Sequence, residues 1–217
     1  MKERDLVRRR LTNHRLERSE FRKPADVVQW LGAVQAQDYA GAKWALGLRA
    51  KGLTDADFDR AFDEGTILRT HILRPTWHFV TPADIRWMLA LTFRRVHAAN
   101  AHTYREFELN ASVFRRSRKA IERELRGGKD RTRAELASVL RRAGIAAKGI
   151  RLAALMIDAE LEGVIVSGPR RGTQFTYALV EERAPRGRTV DREEALAELT
   201  TRYFSSHGPA TLRDYAW

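Results

Sequence analysis

Two glutamines separated by one residue, Gln35 and Gln37, carry side chains that can hold a water molecule. Each amide offers a carbonyl oxygen that accepts a hydrogen bond and an NH2 group that donates one. Side chains at i and i+2 lie about 200° apart on a helix, but they point to the same side of an extended segment. A helix end or turn at this place therefore predicts two neutral amides directed into one cleft. By itself the pattern has little specificity, because glutamine is also an ordinary residue of helix surfaces.

A predicted β-hairpin carries the second group of chemically useful residues. Its strands cover residues 66–73 and 76–80, with an Arg-Pro connection between them. A two-residue connection pairs His71 with His78 and places Trp77 toward the opposite face. The hairpin therefore predicts a polar face that contains both histidines.

The polar face of the hairpin allows two interpretations. One is a DNA-facing edge, and its members are Arg69, His71, Arg74 and His78. The other is a small sheet in which the two histidines share a hydrogen bond and the neighbouring tryptophan belongs to the core. A zinc site is not expected, because the chain has no cysteine and no third ligand stands at a recognisable spacing.

Basic residues are concentrated in one part of the chain. The whole sequence has a net charge of +12, and residues 115–151 contain 13 basic and four acidic residues, a net charge of +9. Arginine suits bidentate contact with phosphate, so this segment favours a nucleic-acid partner. Codon usage in a GC-rich genome is the alternative explanation for abundant arginine, but it does not explain the clustering.

Composition excludes several classes of protein. The 217 residues contain no cysteine, which excludes disulfides, thiolate metal sites and cysteine nucleophiles. No apolar run approaches the length of a membrane span, and the N-terminus MKERDLVRRR does not resemble a signal peptide. Phosphate-binding glycine loops and the GxSxG and HExxH motifs are missing from the sequence. We therefore expect a cytoplasmic, nucleoid-associated protein without cofactor or metal.

Residues 1–105 predict three helices followed by a two-stranded hairpin. Apolar residues recur at the spacing of one helix face after Pro24, namely Val27, Trp30, Leu31 and Val34. A second short helix fits residues 42–48, and a third begins at the capping pair Thr54 and Asp57. This order of elements is that of a winged helix, so we predict a first winged-helix unit over these residues.

The same order recurs in residues 106–182. A helix over 113–126 precedes a second helix, which begins at the capping box of Thr132 and Glu135. A third apolar stripe ends at Gly163, and two strands then enclose a loop. We therefore predict a second winged-helix unit with a basic wing.

A winged helix can place the second helix of its helix-turn-helix, here the third helix of the unit, in a DNA groove and its wing on the phosphate backbone. Two pairs of basic residues occupy these positions in the second unit. The residues predicted to contact DNA there are Lys148 and Arg151 at the start of the helix and Arg170 and Arg171 at the tip of the wing.

The remaining residues predict the start of a third unit. Residues 181–190 have the composition of a linker, and Asp191 is a candidate cap for the helix that follows. Thr211 is a candidate cap for another helix, and the sequence ends at Trp217, within that predicted helix. We predict that residues 183–217 are an incomplete third winged-helix unit. The expected fold class is mainly α with small β-hairpins (α+β), arranged as tandem winged-helix units.

Three stretches of the chain resemble a known family. They are VQAQDYAGAKWALGLR (34–49), ILRTHILRPTWHFVTPADIRWMLALT (67–92) and YFSSHGPATLRDYAW (203–217). Together, and in this order, they resemble the bacterial tandem winged-helix DNA glycosylases of the AlkZ/YcaQ type. Members of that family have three winged helices around a DNA channel and a C-terminal β-rich domain. We therefore expect the chain to be the front part of a longer protein of this kind.

The resemblance implies a function and a site. The family excises N7-alkylated purines from double-stranded DNA, and some members unhook interstrand crosslinks. Its catalytic signature is a glutamine, an apolar residue and a second glutamine or an aspartate. Here the signature reads Gln35-Ala36-Gln37, which implies that Gln35 and Gln37 are catalytic.

Neutral amides are chemically sufficient for this reaction. An N7-alkylated purine already carries positive charge, so it leaves readily and needs little help from a general acid. What is needed is a positioned water and an environment that tolerates an oxocarbenium-like sugar. A monofunctional hydrolase without a lysine Schiff base follows, and we expect Asp38 to be structural.

Another class of function fits the predicted fold. A non-catalytic winged-helix DNA-binding protein or transcription regulator would use the same basic helix and wing. It would have no need for a Gln-Ala-Gln segment at a cleft, and regulators usually also carry an effector domain. The placement of the two glutamines therefore bears on which class applies.

Overall fold

The computed structural model describes residues 3–184 and 189–216, and within them the chain is mainly helical with six short strands. The helices are α1 (Glu3–Asn13), α2 (Pro24–Leu31), α3 (Tyr39–Gly47), α4 (Asp55–Glu64), α5 (Ile85–Ala99), α6 (Ala101–Glu106), α7 (Ala111–Leu125), α8 (Arg133–Arg142), α9 (Gly149–Leu161), α10 (Val180–Arg183), α11 (Arg192–His207) and α12 (Leu212–Ala216). The strands are β1 (Val34–Gln35), β2 (Leu68–His71), β3 (Trp77–Val80), β4 (Arg131–Thr132), β5 (Ile165–Ser167) and β6 (Thr176–Leu179). None of the helices in these ranges has the length and apolar character needed to cross a bilayer.

Two antiparallel sheets repeat the same arrangement. The first has the strand order β1-β3-β2, and the second has the order β4-β6-β5. Each sheet belongs to a unit with three helices. These are α2, α3 and α4 in the first unit and α7, α8 and α9 in the second. The prediction of a mainly helical fold with small β-hairpins in a repeated winged-helix order is confirmed. The sequence did not reveal β1 and β4, because two-residue strands are too short to show an alternating pattern.

Capping residues set the helix boundaries that hold the candidate site. The predicted capping boxes at Thr54 and Thr132 are both present, each closed by the acidic residue three positions later. Helix α2 ends earlier than predicted, because Gly32 adopts a left-handed φ of 81°. Val34 is therefore not the last residue of the helix stripe but the first residue of β1.

The register of the first hairpin differs from the prediction by one residue. His71 lies opposite Trp77, and Thr70 lies opposite His78. The connection is five residues long, 72–76, and Leu73 in it has a positive φ of 63°. A slip of one position moves a side chain to the other face of a sheet, so the two histidines lie on opposite faces.

The two repeated units share a core cluster. Leu68 and Val80 of the first hairpin pack in one cluster with Val166 of β5, Val180 of α10 and Ala195 of α11. Strands β2 and β5 also lie side by side, and Ser167 Oγ accepts a hydrogen bond from the backbone N–H of Arg69 at 2.8 Å. The predicted boundaries at 1–105, 106–182 and 183–217 stay a prediction, but the units they delimit are packed together.

The segment predicted as a linker begins as a helix. Arg183 of α10 donates hydrogen bonds to the carbonyls of Phe62 and Asp63 at the end of α4, both at 2.9 Å. The rest of this predicted linker includes residues 185–188, which lie outside the described residues, as does Trp217. Asp191 caps α11 as predicted, and α11 packs on α2 and α5.

Candidate active site

The Gln-Ala-Gln segment is an exposed edge of the first sheet. Gln35 ends β1 opposite His78, and the backbone N–H of Ala36 donates to the carbonyl of Trp77 at 2.7 Å. Ala36 is fully buried, whereas Gln35 and Gln37 are exposed. This alternation is that of an extended segment, so the two glutamines share the outward side.

The amide of Gln37 has a fixed neighbour. Its Oε1 accepts a long hydrogen bond of 3.4 Å from the backbone N–H of Trp77. The next residue, Asp38, caps α3 by accepting from the N–H of Gly41 at 3.1 Å, as expected for a structural aspartate. The segment is thus held at both ends while its glutamine side chains face outward.

Arg69 lies beneath this segment rather than on a DNA-facing edge. It is 8% exposed, and its guanidinium donates to the carbonyls of Ala36 at 2.9 Å and Gln37 at 3.3 Å. The rings of Trp77 and Phe175 lie 4.3 and 4.7 Å from its Cζ. Burial lowers the pKa of Arg69, but a guanidinium keeps its charge at neutral pH. The prediction that it contacts DNA is wrong, because its donors are used inside the protein.

His71 is also buried, and its hydrogen-bond partner is a residue that was not predicted from the sequence as part of a site. His71 Nδ1 shares a hydrogen bond with Glu160 of α9, and its ring centroid lies 4.8 Å from that of Trp77. Glu160 is 1% exposed and also accepts from Trp77 Nε1 at 3.3 Å. The only available signal was its spacing, since Glu160 follows Met156 by one helix turn on a face that is otherwise apolar.

His78 lies on the opposite face of the hairpin and makes no pair with His71. Its Nδ1 donates to the carbonyl of Thr76 at 2.9 Å. Burial lowers the pKa of His78 from 6.5 to about 4, and the nearby charges of Arg74 and His71 act in the same direction. The structure therefore contradicts both interpretations of the histidines, the DNA-facing edge and the hydrogen-bonded pair.

A pH dependence of stability follows from this buried imidazole. The unfolded chain takes up a proton at His78 near pH 6.5, whereas the folded chain resists it down to about pH 4. The free energy of unfolding should therefore fall as the pH drops through this window, by about 3 kcal/mol for this group. Urea titrations at pH 7 and pH 4.5 measure the fall, and His78→Asn should lose less stability across the same interval than the wild type. An equal loss in both proteins would contradict the assignment.

The wing of the second unit is docked on the first unit. Arg170 pairs with Asp59 of α4 at 3.0 Å and with Asp63 at 3.5 Å. Arg171 pairs with Asp130 at 2.9 Å and with Glu135 at 3.0 Å. Four carboxylates therefore surround the two wing arginines, and the contact of Arg170 and Arg171 with DNA stays a prediction.

This docking predicts a difference between the two wing arginines. Arg170→Ala removes the guanidinium beside Asp59 and Asp63 on α4, while Lys43 still pairs with Asp59 at 2.8 Å, so we expect a loss of roughly 1–2 kcal/mol in the free energy of unfolding. Arg171 is a matched control of the same type in the same loop, and its own side chain is more exposed, at 42% against 18% for Arg170. Arg171→Ala should therefore cost clearly less in the same urea titration. A larger loss for Arg171→Ala would contradict the docked wing.

The other predicted DNA contacts differ in their surroundings. Arg151 is used inside the protein, where it donates to the carbonyl of Ala146 at 3.0 Å and to that of Phe107. Lys148 is exposed at the start of α9 and has no ion pair within residues 3–184 and 189–216. Arg74 is exposed in the hairpin connection. Of the predicted basic contacts, Lys148 and Arg74 thus retain exposed positions.

One cluster elsewhere has side chains of types that bind metals. Single ligand atoms of His97, Asp158 and Glu162 lie within 4.8 Å of one another. Arg118 Nη1 is within 2.9 Å of both Asp158 carboxylate oxygens and 4.0 Å from Glu162. Burial raises the pKa of Asp158 to about 6, although Arg118 acts in the opposite direction. Because a guanidinium already supplies the positive charge, we assign this cluster to packing between α5, α7 and α9.

Known proteins resemble this chain in sequence pattern and in fold. A family model described as DNA glycosylase AlkZ-like matches residues 28–217. The solved structure of Streptomyces sahachiroi DNA glycosylase AlkZ is similar, with a TM-score of 0.79 and 23% sequence identity. That match covers 100% of this chain, which spans 60% of the length of the solved one. A search of curated proteins finds no match.

Proposed function

This chain belongs to the AlkZ-like DNA glycosylase family, and from that premise we propose that it hydrolyses the N-glycosidic bond of N7-alkylated purines in double-stranded DNA. The observation that carries the proposal is the Gln35-Ala36-Gln37 segment, which presents two exposed glutamines on the outward side of a sheet edge. The same chemistry extends to interstrand crosslinks that are attached through a purine N7. On this proposal the protein acts on chromosomal DNA, at the nucleoid.

The reaction needs few catalytic groups. The bond between C1′ and the purine N9 breaks, and both electrons leave with the base, which becomes neutral because its N7 was cationic. Water adds to C1′ of the sugar and releases its proton to solvent. Positioning and electrostatics are therefore the main contributions of the protein.

The two amides are suited to this division of work. Gln35 and Gln37 together offer two acceptor oxygens and four N–H donors. In the proposed mechanism one oxygen aligns the attacking water and the other faces the positive charge that develops on the sugar. Gln37 is oriented for this role by the backbone N–H of Trp77.

A row of cations on α7 supports binding of the duplex. Arg115, Lys119 and Arg123 follow one another at intervals of four residues, which places them on one face of the helix. All three are exposed, and none has an ion pair among residues 3–184 and 189–216. Such cations release counterions from DNA when they contact phosphates. We call these three residues the α7 basic row and propose that it holds the backbone.

Release of the free base is the direct test of the proposed activity. The purified chain is incubated with a duplex that contains one N7-methylguanine, and free 7-methylguanine is measured by mass spectrometry. The proposal predicts release well above spontaneous depurination, and no release from the same duplex with an ordinary guanine. Binding to the damaged duplex without any release would instead favour a non-catalytic DNA-binding protein.

A further inference from the structure

We propose that Glu160, a residue of the second unit, is a positioning residue for the glutamine pair of the first. It does not touch the substrate but fixes Trp77, which in turn fixes Ala36 and Gln37. This inference rests on the proposed function for its catalytic meaning. Its geometric part stands independently of that function.

The first link joins Glu160 to the indole of Trp77. The carboxylate is almost completely buried, and Trp77 Nε1 donates to its Oε1 at 3.3 Å. Its other oxygen bonds to His71 Nδ1, so both carboxylate oxygens have a partner in the first hairpin. A buried acceptor is shielded from competing water, so a hydrogen bond to it favours one orientation of the donor ring. Glu160 therefore restricts the rotation of the Trp77 ring.

The second link joins Trp77 to the glutamine segment. Its carbonyl accepts from Ala36 N–H at 2.7 Å, and its N–H donates to Gln37 Oε1 at 3.4 Å. Its ring supports the guanidinium of Arg69, which donates to the carbonyls of Ala36 and Gln37. Trp77 thus holds the segment directly through its backbone and indirectly through its ring.

The second unit contributes more than one residue to this support. Phe175 lies between the wing and β6, and its ring centroid is 4.7 Å from Cζ of Arg69. This contact is additional to the contact between Arg69 and Trp77. Ser167 of β5 accepts from the backbone N–H of Arg69 at 2.8 Å. Residues from α9 and the second sheet region therefore converge on the two residues that hold the glutamine segment. A buried pair with only a packing role would have no reason to lie along this path.

Two conservative variants weaken the same link from opposite sides. Trp77→Phe removes the Nε1–H donor and keeps an aromatic face for Arg69. Glu160→Gln keeps an acceptor oxygen of similar shape and removes the charge. Glu162→Gln is the control, because Glu162 carries the same side chain directly after α9 and pairs with His97 and Arg118 instead.

Single-turnover release of 7-methylguanine gives the catalytic readout. Each single variant should lower the rate by about tenfold to a hundredfold while affinity for the duplex stays unchanged. The double variant should lose little more than either single variant, because both act on one shared link. Multiplied losses in the double variant, or rates equal to that of the control, would overturn the proposal.

Hydrogen exchange at the Ala36 amide gives a readout that needs no enzyme activity. Both variants should exchange this amide faster than the wild type and the Glu162→Gln control. If the wild type releases no base but exchange at Ala36 rises as expected, the proposed function fails and the positioning network stands. Unchanged exchange at Ala36 in folded Trp77→Phe would overturn the network itself, even if Glu160→Gln does not fold.

Discussion

Replacing both glutamines by alanine should abolish measurable base excision while leaving the protein folded and able to bind DNA. The side chains of Gln35 and Gln37 are exposed, so their removal leaves no cavity, and the hydrogen bond that is lost, from Trp77 N–H to Gln37 Oε1, is itself exposed. Loss of one preorganised group that stabilises a transition state typically costs about a hundredfold to a thousandfold in rate. We therefore expect the single-turnover rate of the double variant to fall at least about a hundredfold.

The control for this prediction is another exposed glutamine of the same unit. Gln29 on α2 is exposed and lies outside the glutamine segment, so Gln29→Ala should retain the wild-type rate. Thermal unfolding and affinity for an undamaged duplex should be the same in all three proteins. A double variant with a rate within threefold of that of Gln29→Ala would remove the catalytic assignment.

Neutralising the α7 basic row should weaken DNA binding and reduce its dependence on salt. The observed association constant falls with salt concentration with a slope of about 0.9 per phosphate contact. Replacing Arg115, Lys119 and Arg123 by glutamine should therefore lower the slope of log K against log salt by about 3. At low salt we expect a loss of affinity of roughly a hundredfold, measured by fluorescence anisotropy.

A second triple variant with the same change in charge provides the control. Arg126, Arg131 and Arg171 each pair with a carboxylate of the protein, at 2.8, 2.7 and 2.9 Å respectively. Their neutralisation should change the slope much less, because these cations are already balanced. Equal slopes for both triple variants would show that net charge, rather than the row on α7, governs binding.

Local signals in the sequence were sufficient for the three helices of each repeated unit and for the repeated order of elements, but not for α1, α6 and α10. The capping boxes at Thr54 and Thr132 depend on side chains only three residues apart, and both form as predicted. The concentration of charge in residues 115–151 likewise required no tertiary information. Such features are decided within one or two helix turns, so a single sequence reports them.

Tertiary contacts decided what the sequence could not. The register of the first hairpin depends on a five-residue connection with Leu73 at positive φ, a conformation that leucine seldom adopts. Arg69 and Arg170 are of a residue type that often contacts DNA. In the structure, Arg69 donates to the backbone carbonyls of Ala36 and Gln37. Arg170 pairs with the carboxylates of Asp59 and Asp63. Glu160 pairs with residues more than 80 positions away, a separation at which sequence spacing carries no information.

The most direct test of the glutamine site uses a mimic of the cationic sugar. Two duplexes are compared, one with a positively charged pyrrolidine in place of the sugar and one with an uncharged tetrahydrofuran. The wild type should bind the pyrrolidine duplex at least tenfold more tightly, because groups that stabilise the transition state also bind its analogue. Gln35→Ala/Gln37→Ala should lose this preference and keep its affinity for the uncharged duplex. An undiminished preference in the double variant would contradict the account, since the positive charge would then be stabilised elsewhere.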